Sequence, residues 1–373
     1  MRTIRNLIYR EIFAASTFVL LGFLALFFFF DVVDEFASVG RPAVDTPELV
    51  YGLGHALLYV ALQMPNRVYE LLPMTVLIGS IVVLARMANG SEYTILRTSG
   101  LDPWRALGTM LGLGSVFVVL TFLTGDYVAP ASDRAAQLLK AQFRGQISVG
   151  NTGAWLKERQ TNFNHFVNVG RLDPSGEMGN IRIFTFDNKG YLAATLKASR
   201  GQIDTSNNTW VMHDVQRRII QGSDKGGSRA AYQHIPLYQW KSSITPEMIS
   251  VALLKPERMR TSDLFAYSQH LAANGQSTLR YDIEFWRKLF YPLSCLVMVV
   301  LALPFAYLHF RSGGTTGYVF GGVMIGISFF LLNNVFGYIG NLNQWQPWVA
   351  AVSPALIYSV LSLTAFGWMV LRR

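Results

Sequence analysis

The densest local chemistry in the chain lies in one short run, Met87-Ala88-Asn89-Gly90-Ser91-Glu92-Tyr93-Thr94-Ile95-Leu96-Arg97-Thr98-Ser99-Gly100-Leu101-Asp102-Pro103. Ser91 is of the type that caps a helix N-terminus, and Glu92 then falls in the first turn, where a negative charge is favoured. Gly100 suits the left-handed position past a helix end, and Asp102-Pro103 is a cap and first-position pair for the next helix. The pattern predicts a two-turn helix clamped at both ends. An ordinary connecting turn is the commoner use of such a segment, but caps at both ends favour a rigid lever that passes force to a partner. A second set of residues is cationic. Residues 131–280 hold 19 Lys and Arg against 11 Asp and Glu, contributing +8 of the formal +9. This excess suits an anionic partner such as a phosphorylated lipid headgroup; a merely soluble surface explains it about equally well.

Other chemistries are missing from the pattern. Gly313-Gly314-Thr315-Thr316-Gly317 lacks the lysine of a phosphate-binding loop, so any nucleotide energy comes from another chain. The six histidines are scattered, no metal-ligand spacing occurs, and no nucleophile stands near a base. The expectation is a chain that is not an enzyme, binds no cofactor or metal of its own and does not engage nucleic acid.

The elements around these residues are mostly apolar. A bilayer core requires roughly 20 apolar residues per helix, and Ile12–Phe30, Val68–Ala88, Pro103–Thr124, Phe285–Tyr307, Gly317–Ile339 and Trp348–Leu371 approach or exceed that length. Arg2, Arg5 and Arg10 before the first span evoke a signal peptide, but the run is too long and no small-x-small site follows. Arg86, Arg97, Arg105, Arg311, Arg372 and Arg373 join those three on one side, whereas the loop after span one holds Asp31, Asp34, Glu35, Asp45 and Glu48 with Arg41. The positive-inside bias puts both termini in the cytoplasm and residues 131–280 in the periplasm. Trp286, Tyr291, Trp345 and Trp348 fit interface anchors. The lone Cys295 falls within span four, so no disulfide supports the outer domain.

That domain reads as all-β. Asn164–Arg171, Asn180–Asp187, Tyr191–Arg200, Thr209–Arg218 and Arg229–Trp240 alternate like strands, separated by turn clusters such as Asn188-Lys189-Gly190. One face is expected to carry Phe166, Ile181, Ile183, Leu192, Leu196, Trp210 and Val215. Such a face is ordinarily a core; the sharper alternative is a groove for acyl chains, and periodicity does not separate the two. Helices over Ala131–Arg144, carrying Arg134, Lys140 and Arg144, and over Ser262–Ala273, with Ser262 as N-cap, tether it. The division expected is 1–130, 131–280 and 281–373: an α-helical membrane protein with six transmembrane helices, plus an all-β jelly-roll-like domain inserted between helices 3 and 4. The span interiors hold almost no ionisable residues, which weighs against an ion-coupled transporter. Gly108, Gly112, Gly317, Gly321, Gly322 and Gly326 have helix-packing spacing, whether for internal contacts or for a partner subunit.

These residues carry a resemblance. Gly90–Gly100 with Ser91-Glu92, Gly125-Asp126-Tyr127-Val128-Ala129-Pro130, Trp240-Lys241-Ser242-Ser243-Ile244-Thr245-Pro246, Arg280-Tyr281 through Trp286, Lys288, Phe290, Pro292-Leu293-Ser294 and Asn333-Asn334-Val335-Phe336-Gly337 follow one another in order. Over essentially its whole length the chain resembles the LptF/LptG permease family of the lipopolysaccharide exporter, and stands nearer the LptG branch. The resemblance implies an inner-membrane heterodimer with an LptF-like subunit, driven by an LptB-like ATPase dimer that binds the ATP and magnesium. An LptC-like accessory and an LptA-like periplasmic bridge would complete the system. It places Ser91, Glu92, Tyr93, Leu96 and Arg97 at the ATPase, with Glu92 pairing a basic residue there. It assigns Arg41, Arg134, Lys140 and Arg144 to lipid phosphates, and Phe27, Phe30, Phe320, Phe166, Ile183 and Leu196 to the acyl path, spans one and five being lateral gates. Where relatives place lysines at the outer end of span one, this chain has Asp31, Asp34, Glu35 and Ser38. A non-transporting scaffold subunit is the alternative.

Overall fold

The computed structural model describes residues 2–42, 50–90, 95, 98, 102–144, 154–172, 176–204, 207–222, 228–246, 248–249, 256–307 and 315–371. The chain forms two compact units: a helical one from residues 1–34, 60–132 and 279–373, and a β-rich one from residues 35–59 and 133–278.

The helical unit contains α1 (Arg2–Glu35), most of α2 (Leu53–Asn89) and α3 (Pro103–Leu123). After the β-rich insert come α6 (Leu279–Phe290), α7 (Ser294–Ala302), α8 (Thr315–Leu342) and α9 (Pro347–Leu371). Six helical stretches among the described residues are long and apolar enough to cross a membrane, as the sequence predicts. The fourth is interrupted by a 3₁₀ turn at Tyr291–Leu293 and ends in another at Leu303–Ala306. Pro292 and Pro304 stand at the start of those turns, each lacking the N–H that the α-ladder requires.

The unit is built around α2, whose residues Leu71 to Ser80 are all buried. Leu77, Ile81 and Leu84 share a core with Met110, Leu113 and Phe117 of α3, Cys295 and Met298 of α7, Phe329 of α8 and Tyr358 of α9. Close approach depends on Gly79, where an added Cβ would lie 2.6 Å from the Ser16 Cα of α1. The glycines with packing spacing divide in two. A Cβ at Gly112 or Gly322 would meet Tyr9 or Ile81 at 2.5 and 2.7 Å, and one at Gly326 would strike Met74, whereas Gly108, Gly317 and Gly321 face open space.

The β-rich unit is a six-stranded antiparallel meander in the order β1-β2-β3-β4-β5-β6. The strands are β1 (Ala154–Arg159), β2 (Phe163–Leu172), β3 (Met178–Asp187), β4 (Leu192–Asp204), β5 (Thr209–Gly222) and β6 (Ser228–Lys241). Strands β2 to β6 match the alternating runs; β1 is additional. The β3–β4 turn forms because Asp187 Oδ1 accepts from the Lys189 and Tyr191 N–H groups at 2.9 and 2.8 Å, and Gly190 takes φ +85°. Helix α4 (Ala129–Arg144) follows α3 through a π-turn at Thr124–Val128, and α5 (Thr261–Ala273) follows the sheet. Helix α5 has Arg260 at its N-cap, two residues before the Ser262 that the cap pattern suggests, so Ser262 lies inside the helix.

Register corrects the predicted apolar face. Val167 pairs with Ile183 and Ile183 with Leu196, so these three share a side with Val169 and Ile181. Phe166 pairs with Phe184 and projects to the opposite side, since neighbouring residues alternate. The Val167 face is closed: Val167, Ile181 and Val215 are fully buried, and Ile183 and Leu196 retain 4% and 7% exposure.

Candidate functional site

The lever residues Ser91, Glu92, Tyr93, Leu96 and Arg97, with Gly100, lie outside the described residues. The ends around them are described. Gly90 N–H donates to Arg86 O at 2.9 Å where α2 ends, and Arg86 pairs with Glu11 of α1. Ile95 and Thr98 are helical and exposed. Asp102 caps α3 by accepting from Trp104 N–H at 3.3 Å with Pro103 beside it, as its sequence pattern predicts.

The cations assigned to lipid phosphate occupy different settings. Lys140 Nζ donates to Glu35 Oε2 at 2.7 Å and sits 4.0 Å from the centre of the Tyr59 ring. Arg134 donates to Asp263 Oδ2 of α5 at 2.5 Å. Both cations therefore have internal carboxylate partners, which the sequence pattern did not disclose. Arg41 is exposed, while the Arg144 side chain lies outside the described residues.

A polar network inside the helical unit is the main feature that sequence reasoning missed. Arg67 of α2 holds Asp31 of α1 with Nη2–Oδ1 and Nη2–Oδ2 distances of 3.1 and 3.3 Å, and also pairs with Glu70 at 3.6 Å. The same guanidinium lies 4.9 Å from the Phe27 ring centre. Asp31, at the acidic end of span one, thus has its cation on span two. On the fourth span, Arg287 donates to Glu284 at 2.7 Å and to Asn334 of α8 at 3.1 Å. Lys288 donates to Gly125 O at 3.2 Å. Its acceptor is set by the π-turn: Ala129 N–H reaches back to Thr124 O, and Pro130, next in line, has no N–H to offer Gly125. A Cβ at Gly125 would collide with the Tyr69 ring. The Gly125–Pro130, Lys288 and Asn333–Gly337 motifs, far apart in sequence, meet here.

The acyl-path residues are likewise separated. Phe27 packs with Val19, Leu20, Phe23 and Leu24 of α1 and with Val319 and Val323 of α8 against Leu71, Met74 and Ile78 of α2. Phe30 and Phe320 are outward and exposed. Ile183 and Leu196 are packed inside the β-rich unit, and Phe166 lines a cleft on its other face.

In the β-rich unit, buried Glu158 of β1 joins the two ends of the meander. It accepts from Ser242 Oγ at 2.6 Å, Ser243 N–H at 2.8 Å and Ser243 Oγ at 3.2 Å, just beyond β6. Trp210 Nε1 donates to Ile244 O at 3.1 Å, and Asn274 Oδ1 accepts from Arg159 N–H at 2.8 Å. The Trp240–Pro246 motif is thereby explained as a closure. Burial lowers the pKa of His165 and of His270 below the usual histidine value, outweighing the opposing attraction of Glu158. Among the described residues, no group of three His, Cys, Asp or Glu is placed to hold a metal.

Six apolar helices among the described residues, with a β-rich insert between the third and fourth, have the architecture of a multi-pass membrane protein. The chain belongs to the family of the lipopolysaccharide export system permease LptF/LptG, whose model matches residues 6–371. It is 27% identical over 344 residues to the lipopolysaccharide export system permease protein LptG of Escherichia coli K12, covering 91% of this chain and 90% of that protein. It is 26% identical over 361 residues to LptG of Haemophilus influenzae, covering 96% and 94%. These likenesses place it in the bacterial inner membrane.

Proposed function

We propose that the chain is the transport subunit of an ABC-type exporter that takes lipopolysaccharide out of the inner membrane. Its energy comes from a separate LptB-like ATPase, and an LptF-like subunit completes the lipid cavity. Both termini are cytoplasmic and the β-rich unit is periplasmic, there handing lipid on with LptC-like and LptA-like proteins. The observation that carries this reading is the unequal burial of the spans. The apolar window of α2 is 78% buried, whereas those of α1 and α8 are 11% and 22% buried. Phe18, Leu21, Phe29, Phe30 and Phe320 are large and outward-facing. A central helix sealed by its neighbours, with two weakly held helices meeting over it, suits lateral gates better than a rigid anchor.

In this reading Ser91, Glu92, Tyr93, Leu96 and Arg97 engage the ATPase, and lipid phosphate reaches Arg134 and Lys140 by displacing Asp263 and Glu35. Arg41 and Arg144 add positive charge. Phe27, Phe30 and Phe320 guide acyl chains, and Ile183 and Leu196 receive them only after the β-face opens. The test is copurification with the ATPase and partner subunit, mass spectrometry of bound lipid, and ATP-dependent lipid release from proteoliposomes. Co-isolated lipopolysaccharide released only with ATP supports the reading. An assembled complex with no bound lipid and no release favours the scaffold alternative.

A further inference from the structure

A cleft of about 750 Å³ lies within the β-rich unit, on the side of β1–β3 that carries Phe166. Its floor is aromatic. Trp155 stacks on Phe184 with ring centres 6.0 Å apart and planes 19° apart, and Phe166 meets Phe186 edge to face at 5.4 Å. Sequence periodicity hid this because the four residues come from three strands and meet only through register. Trp155 is 48% exposed and Phe166, Phe184 and Phe186 are half-buried, so the rings form an open shelf.

The rim is polar and cationic. Lys157 Nζ lies 5.6 Å from the Phe166 ring centre, Lys189 is exposed at the β3–β4 turn, and Asn164 and Asn188 add carboxamides. Among the described residues lining the cleft, the one carboxylate is Asp187, whose Oδ1 is engaged by the Lys189 and Tyr191 N–H groups. A flat apolar floor with ammonium and carboxamide groups around it matches a particular ligand chemistry. Sugar rings have apolar C–H faces that lie on aromatic rings, hydroxyls that pair with carboxamides, and, where phosphorylated, charges that pair with lysine. An acyl chain would leave the lysines and asparagines unused.

We propose that this cleft is a site for a phosphorylated saccharide, held by Trp155, Phe166 and Phe184 with Lys157 and Lys189 on the phosphate. It rests on the transport reading for its natural source, the sugar portion of the exported lipid. It also separates two tasks on one sheet: acyl chains on the Ile183 side, saccharide on the Phe166 side.

The test titrates the full chain in detergent micelles by calorimetry, with deacylated phosphorylated lipopolysaccharide as probe. The same saccharide after phosphatase treatment, and laurate, serve as comparison probes. Lys157→Glu should weaken the phosphorylated probe about tenfold, the size of one lost charge-assisted hydrogen bond. Dephosphorylation should weaken the parent protein similarly and add nothing in Lys157→Glu. Trp155→Ala should weaken both saccharides, and Asn164→Ala provides a second probe of the rim should the tryptophan variant unfold. Unchanged saccharide binding in Lys157→Glu and Asn164→Ala overturns the proposal, as does laurate binding lost in their place. ATP-driven release of intact lipid from proteoliposomes tests the transport reading separately, so either can fail alone.

Discussion

Glu158→Ala is expected to loosen the β-rich unit more than most single changes could. The carboxylate accepts three hydrogen bonds from Ser242 and Ser243 at 2.6–3.2 Å, 84 and 85 residues away in sequence. Each hydrogen bond to a charged group contributes about 1.5–3 kcal/mol when buried. Ser242 is 6% exposed and loses its acceptor outright; Ser243 is exposed, so water replaces much of what it loses. The net destabilisation is therefore about 2–4 kcal/mol, well below the sum of three full bonds. Glu158→Gln keeps the shape and one acceptor oxygen and should cost about half as much. Urea unfolding of the detergent-solubilised chain reads this through the emission of Trp210 and Trp240, whose rings are 5.5 Å apart and buried. A double-mutant cycle with Ser242→Ala adds a sharper check, because residues sharing a hydrogen bond are not additive. A loss below about 1 kcal/mol for Glu158→Ala, or strict additivity with Ser242→Ala, would refute the closure.

Lowering the pH should destabilise the same unit. His165 and His270 have folded pKa values below their unfolded value of 6.5, so the unfolded chain binds more protons and stability falls as pH drops below about 6.5; a flat unfolding midpoint from pH 7.5 to 5.5 would contradict this. Gly79→Ala should cost about 1–3 kcal/mol by pushing α1 off α2, while Gly321→Ala, facing open space, should leave the thermal midpoint unchanged. Lys140→Ala should cost about 3 kcal/mol by leaving buried Glu35 unpaired, and adding Glu35→Ala should restore most of it; no restoration would show that the pair is incidental. On the proposed ATPase contact, Glu92→Ala should leave the fold intact and lower lipid export per ATP hydrolysed, since the desolvated charge pair proposed there would be worth about 2–5 kcal/mol; normal export by the purified variant complex would sink the lever role.

Fold class is legible in the sequence because both of its signals are local. Six apolar runs and five alternating segments appear as stretches of one composition, and the Asn188-Lys189-Gly190 cluster marks a real turn between β3 and β4. Strand β1 escapes because Ala154-Trp155-Leu156-Lys157-Glu158-Arg159 alternates but its buried side includes a carboxylate. Glu158 looks like a surface residue until Ser242 and Ser243 are brought to it. Phe166 falls on the wrong face for a related reason: periodicity within one strand does not set the phase of that strand against its neighbours, and only pairing does.

The charged residues are least legible, because pairing is a long-range property. Read singly, Arg134 and Lys140 are free cations near a membrane surface, and Asp31 and Glu35 are an acidic departure from a basic pattern. In the folded chain Asp31 belongs to Arg67, Glu35 to Lys140 and Asp263 to Arg134. Asp31 with Arg67 and Glu35 with Lys140 are each two halves of one ion pair, so neither member of a pair makes physical sense without the other. On the phosphate reading proposed above, a lipid phosphate has to displace the carboxylates of Glu35 and Asp263, so its affinity is set by the difference between a phosphate and a carboxylate as partner, not by the number of cations that a sequence displays.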